Sequence, residues 1–184
     1  MNINLVKVLG ILHLFGMIIK NIYGIIIAKN ILFDKIYITI FLSIPISWIL
    51  FKDECIISYA IKKYNNKQYI LGNNPEDVDD ISDLFFNKHL YTLFYHSNQI
   101  LQIISIFIVN NRTTNISNFY FVPTILFYTF YIYDISYKIN YRKKLYLYFQ
   151  VILLLYLTSS IYIIATINLQ IQQNICKTML FIMK

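Results

Sequence analysis

The chain has 184 residues, of which 58% are hydrophobic and only 14% charged, with a mean hydropathy of +0.55; soluble domains carry about a quarter charged residues. Four glycines and three prolines are too few to punctuate an all-β fold, so the composition excludes both a soluble domain and a β-sandwich. It predicts an all-α, polytopic membrane helical bundle. The net charge of +7 comes from basic residues flanking apolar runs, not from one stripe, so it speaks for topology and against nucleic-acid binding.

Isoleucine makes up about a fifth of the chain, asparagine, lysine and tyrosine are abundant, and arginine occurs only as Arg112 and Arg142. These are residues of A/T-rich codons, so a single Tyr, Asn or Lys carries little information about function.

A membrane span needs about 20 mostly apolar residues. The first candidate covers residues 5–28, broken by His13 and Lys20, and Lys20 reads as a snorkelling lysine. It lacks a clear small-x-small cleavage site and is expected to be an ordinary span, not a removed signal. The second covers 31–51, with Pro45 near its end. A polar interval, 52–88, follows. Spans at 90–109, 116–137 and 145–169 complete an expected set of five, with 170–184 as a short tail.

With the N-terminus inside, ten of the sixteen basic residues fall on the cytoplasmic side, most densely between Lys138 and Lys144. The expected topology is therefore N-in/C-out, with 52–88 cytoplasmic. The connector after the third span then lies outside and carries two glycosylation sequons, at Asn111 and Asn115. Cys55 and Cys176 are too few for a disulfide framework and fall on opposite membrane faces.

Within the interval, residues 53–64 place Ile57, Ala60, Ile61 and Tyr64 at helical spacing, an amphipathic helix that either continues the second span or lies in the interface. A short extended piece at 68–71 sits between turns. Asn74 and Pro75 followed by Glu76 and Asp77 read as a helix start. The acids Glu76, Asp77, Asp79, Asp80 and Asp83 lack the spacing of a calcium loop. The run Ser47-Trp48, Glu54 to Tyr59, Lys63 and Tyr69 to Pro75 resembles a pattern in small, uncharacterised multi-pass membrane proteins of giant DNA viruses and some protists. A tryptophan there closes one span, a Glu-Cys pair follows, and a Leu-Gly turn precedes the next. The resemblance covers about 30 residues and implies an architecture and no chemistry. The chain is expected to be integral to a membrane, with viral envelope, host endomembrane and plasma membrane all open.

The third span holds the candidate site. His89, Thr92, His96 and Gln99 share one helix face, joined by Asn98 and Gln102 nearby. That face is expected to point into the bundle, because polar groups in hydrocarbon need partners. It serves either as a path for protons or small polar solutes, with His96 titrating, or as hydrogen-bonded glue between helices; the second is favoured. His13 and His96 are the only intramembrane pair that could hold haem or a metal, and no motif supports either, so no cofactor and no metal are expected. Asp53 and Glu54 should raise the Cys55 thiol and dull it as a nucleophile, while its position near a membrane end suits lipidation. Tyr133, Tyr137 and neighbouring aromatics read as an interfacial belt, with Asp134 paired to Lys138. No phosphate loop, Ser/His/Asp set or His-Glu-x-x-His occurs. The expected function is non-enzymatic: assembly in the lipid bilayer, with other membrane proteins or as a homo-oligomer. A small transporter or channel component is the alternative, and an intramembrane enzyme comes third.

Overall fold

Long apolar runs poor in glycine and proline fold as helices, which satisfy every backbone group within the segment and so suit a bilayer. This computed structural model is accordingly all-α, with no strand among the described residues. The structure describes residues 3–52, 54–75, 79–117, 125–126, 129–130, 133–134, 137 and 146–182. In chain order the described helices are α1 (Ile3–Ile26), α2 (Ile31–Leu50), α3 (Ile56–Asn65), α4 (Asp79–Ser82), α5 (Lys88–Val109) and α6 (Tyr146–Ile182). Among the described residues, four segments are long and apolar enough to cross a membrane: Val6–Ile26, Ile31–Leu50, Lys88–Thr114 and Leu154–Lys177. The span expected at 116–137 lies mostly outside the described residues, as do Lys138 and the basic cluster after it.

The chain divides into two units, the first comprising Met1–Ala28 and Ser47–Val109 and the second Lys29–Ile46 and Asn110–Lys184. In the first, α1 packs against α5 and α4, and α3 against α4. The inward face of α1 is small and polar: Gly10, Asn21 and Gly24 are buried and His13, Met17 and Lys20 half-buried. Its other side exposes Ile11, Leu12, Phe15 and Ile19, as a lipid-facing helix would. Helix α5 starts at Asn87, whose Oδ1 accepts the His89 backbone N–H at 2.8 Å, a side-chain cap.

Lys52 interrupts the backbone after α2 with a φ of 50°, so α3 is a separate helix and not a continuation of the second span. Of its expected apolar face only Ile61 is buried; Ile57, Ala60 and Tyr64 are exposed, and Ser58 turns inward instead. Residues 68–71 form turns and irregular backbone rather than an extended strand.

In the second unit, Asn30 caps α2 by accepting the Leu32 and Phe33 backbone N–H groups, each at 3.1 Å. The helix buries Asp34, Lys35, Tyr37, Ile38, Phe41 and Leu42. The chain beyond α5 closes in a π-helical turn, Asn110–Thr114. The buried Asn110 side chain ties it: its Oδ1 accepts the Ile116 backbone N–H at 2.8 Å and its Nδ2 donates to the Ile116 carbonyl at 3.0 Å. Helix α6 runs for 37 residues, roughly 55 Å, against a hydrocarbon core of about 30 Å. The expected tail from 170 onward is therefore a continuation of helix, carried by Ile171, Ile175, Met179 and Leu180.

Candidate functional site

The interval after α2 is organised by one buried carboxylate. Glu54 accepts hydrogen bonds from Lys62 Nζ at 2.8 Å and Tyr69 OH at 2.7 Å on one oxygen, and from the Gly72 backbone N–H at 3.0 Å on the other. Lys62 also donates to the Asn74 carbonyl at 2.6 Å and lies 5.4 Å from the centre of the Tyr69 ring. Glu54 is fully buried and Lys62 half-buried, and a buried carboxylate is costly unless each oxygen is satisfied; here both are. Gly72 takes a φ of +85°, and a Cβ there would stand 2.9 Å from the Lys52 Cβ, so the turn needs glycine. Glu54, Tyr69, Gly72 and Asn74 of the Glu-Cys and Leu-Gly pattern thus meet in a single knot.

The knot sets the position of the next residue. Cys55 immediately precedes α3, with extended backbone, and its Sγ faces His13 Nε2 of α1 at 3.8 Å. Burial pushes the thiol up, but the His13 hydrogen bond and the backbone N–H groups of Ser58 and Ile57 outweigh it, leaving Cys55 below its ordinary value of 9.0. That reverses the expectation from sequence, and the reason is geometric. The adjacent Glu54 carboxylate is turned into the knot and spent on Lys62, Tyr69 and Gly72, while the thiol sees a histidine and a helix N-terminus. Lys20, two turns beyond His13 on the same side of α1, contributes a positive charge within electrostatic reach of the sulfur.

Helices α1 and α5 meet closely at Gly24, whose backbone N–H donates to Ser105 Oγ at 2.6 Å. A Cβ on Gly24 would overlap the Ser105 backbone carbonyl. This is the small-residue contact that lets two helix backbones meet in a membrane. Beside it α1 buries Asn21, whose Oδ1 has no hydrogen-bond partner among the described residues, and α5 buries Asn98 and Gln102.

The packing sorts the third-span candidates. Asn98 and Gln102 are buried, Gln99 is half-buried, and His89, Thr92 and His96 are exposed. The buried line is Asn98, Gln102, Ser105, Ile106 and Val109, turned about a third of a turn from the face carrying His89, Thr92 and His96, at 100° per residue. The cause is the close contact at Gly24, which demands Ser105 and not Gln99 or Ile103 toward α1. His96 lies edge-on to Tyr95, 5.9 Å between ring centres, and His13 is engaged by Cys55. No group of three His, Cys, Asp or Glu side chains able to hold a metal occurs among the described residues. Both sequon asparagines, Asn111 and Asn115, are exposed. Cys55 and Cys176 are free thiols.

Sequence reasoning passed over a cluster in the second unit. Asp34, fully buried, is gripped by Arg112 and by Thr113 Oγ1, and next to it Lys35 Nζ donates to Gln170 Oε1 of α6 at 3.0 Å. The available signal was an acid in the first turn of a spanning helix, a position that needs a partner.

No protein-family model, curated protein or solved structure matches the chain.

Proposed function

We propose that this multi-pass membrane protein is a non-enzymatic component that acts by assembling in the bilayer with a second copy of itself, through the outward polar face of α5. One observation carries the reading. Thr92, His96 and Ser97 are exposed on a helix long and apolar enough to span a membrane, interleaved with exposed Leu93 and Ile100. Polar side chains facing hydrocarbon are costly, and interhelical hydrogen bonds relieve them. A face of imidazole and hydroxyl groups offers donors and acceptors together, so it complements its own copy across a two-fold axis. The distribution of lysine and arginine supports an N-in orientation for this assembly.

The test is the mass of the full-length protein in nanodiscs or mild detergent. The parent is expected to be a dimer, and the triple change Thr92→Leu, His96→Leu and Ser97→Leu a monomer. A monomeric parent, or a triple variant that stays dimeric, overturns the reading. A second reading, passage of a small polar solute, draws on the buried seam of Asn21, Asn98 and Gln102 between α1 and α5. Proteoliposomes decide it: flux abolished by Gln102→Leu and indifferent to His96→Leu supports the seam, and no flux from the parent removes it.

A further inference from the structure

The Cys55–His13 pair has no part in that assembly, yet its surroundings are those of a working thiol. The sulfur is half-buried and reachable. It faces an imidazole from a different helix at 3.8 Å and receives the first backbone N–H groups of α3. Lys20 adds a positive charge from the same side of α1. The Glu54 carboxylate, which would oppose an anionic sulfur, is fully occupied by Lys62, Tyr69 and Gly72; Asp53 lies outside the described residues. An adjacent base and anion-stabilising donors are the requirements of an activated nucleophile.

The location selects the substrate. Cys55 follows the end of the second spanning segment, and the imidazole it faces belongs to the first, so the sulfur sits at a membrane boundary, where long-chain acyl thioesters concentrate. We infer that Cys55 is a self-acylating site, taking a fatty acyl group directly from an acyl-coenzyme A thioester with His13 as the base.

In the step, His13 Nε2 takes the proton from the Cys55 thiol as the sulfur attacks the thioester carbonyl carbon. The new bond is from Sγ to that carbon, and the bond broken is from the carbon to the coenzyme A sulfur. The departing thiolate takes the proton back from His13. One thioester replaces another, no oxidant or reductant is consumed, and His13 ends as it began. The acyl chain then anchors the start of α3 to the membrane surface beside the exposed Ile56 and Ile57.

The experiment uses the purified full-length chain in nanodiscs, alkyne-tagged palmitoyl-coenzyme A as probe, and no added acyltransferase. The parent is expected to acquire a label released by neutral hydroxylamine. Cys55→Ser should abolish labelling and Cys176→Ser should leave it unchanged. Alkylating parent Cys55 with iodoacetamide, with the site confirmed by mass spectrometry, should block it without any substitution. His13→Gln should slow labelling by about a hundredfold, the contribution of a well-placed general base, while Cys55 still reacts with iodoacetamide. An unlabelled parent, label confined to Cys176, or a His13→Gln variant as fast as the parent overturns the proposal.

Discussion

Asp34 and Arg112, 78 positions apart, are joined by two parallel hydrogen bonds: Arg112 Nε to Oδ2 at 2.8 Å and Nη2 to Oδ1 at 2.6 Å. Thr113 Oγ1 adds a third to Oδ2 at 2.5 Å. A planar fork meeting a carboxylate in this way is specific to arginine.

Asp34→Ala is therefore expected to destabilise the protein by about 3 kcal/mol, the cost of leaving one member of a buried pair alone. Arg112→Lys keeps the charge, loses the fork, and should fall between parent and Asp34→Ala. Thr113 is also the hydroxyl of the sequon at Asn111, so Thr113→Ala confounds glycosylation with stability. Asn111→Gln, at an exposed position, should leave the melting temperature unchanged, while Thr113→Ala lowers it by the loss of about 1.5 kcal/mol for a bond to a charged acceptor. Thermal unfolding followed by Trp48 fluorescence checks all four.

At the α1–α5 crossing, Gly24→Ala inserts a methyl group where the Ser105 carbonyl already stands. The helices must part, and a loss of about 2 kcal/mol is expected, within the range for overpacking. Ser105→Ala removes only the hydroxyl that accepts the Gly24 N–H and should cost about 1 kcal/mol. If Gly24→Ala proves the milder of the two, the crossing does not occur as described.

The Glu54 knot should respond to Glu54→Gln out of proportion to the size of the change. The amide keeps the shape but leaves Lys62 without its counter-charge, at a cost of about 3 kcal/mol. The loop at 66–74 should then become a protease cleavage site in a folded protein. Gly72→Ala should open the same loop by a different route, because its φ of +85° strains any residue with a side chain.

The knot also predicts an alkaline limit. Burial works against the Lys62 ammonium, but the hydrogen bond and charge of Glu54 outweigh it and hold its pKa above the ordinary 10.5. Burial and the bond to Glu54 likewise raise Tyr69 above 10.0. Both groups keep their protons longer when folded, so their contribution is complete below those ordinary values. It is lost as pH rises through the higher folded ones. Protease sensitivity at 66–74 should stay flat from neutral pH to about 10 and then increase, and Lys62→Met should abolish most of that alkaline step.

The all-helical fold was legible because a bilayer imposes length and apolarity on each segment separately, and those are local properties of sequence. Which side of α5 faces inward was not. The polar residues are spread around the helix, so their periodicity says where polarity lies and not where the neighbour stands. Gly10, Asn21 and Gly24 on α1, matched with Asn98, Gln102 and Ser105 on α5, held the needed signal in their small size and helical spacing. The meeting of Cys55 with His13 was hidden for a different reason. It spans 42 positions and depends on Glu54 turning away, and only the folded knot of Lys62, Tyr69 and Gly72 reveals that turn.

The contact of Gly24 with Ser105 bridges 81 positions, and that distance is also a delay. At about 5–20 residues per second, roughly ten seconds of synthesis separate the release of α1 from the arrival of α5. Throughout that interval the small face of α1 around Gly24, which Ser105 meets in the finished fold, lies open to the membrane. Helix α1 must wait inside the insertion machinery, lean on a chaperone, or borrow α5 from a finished copy. Biogenesis of this protein is thus a problem of timing, and its most fragile moment comes before the third spanning segment has been made.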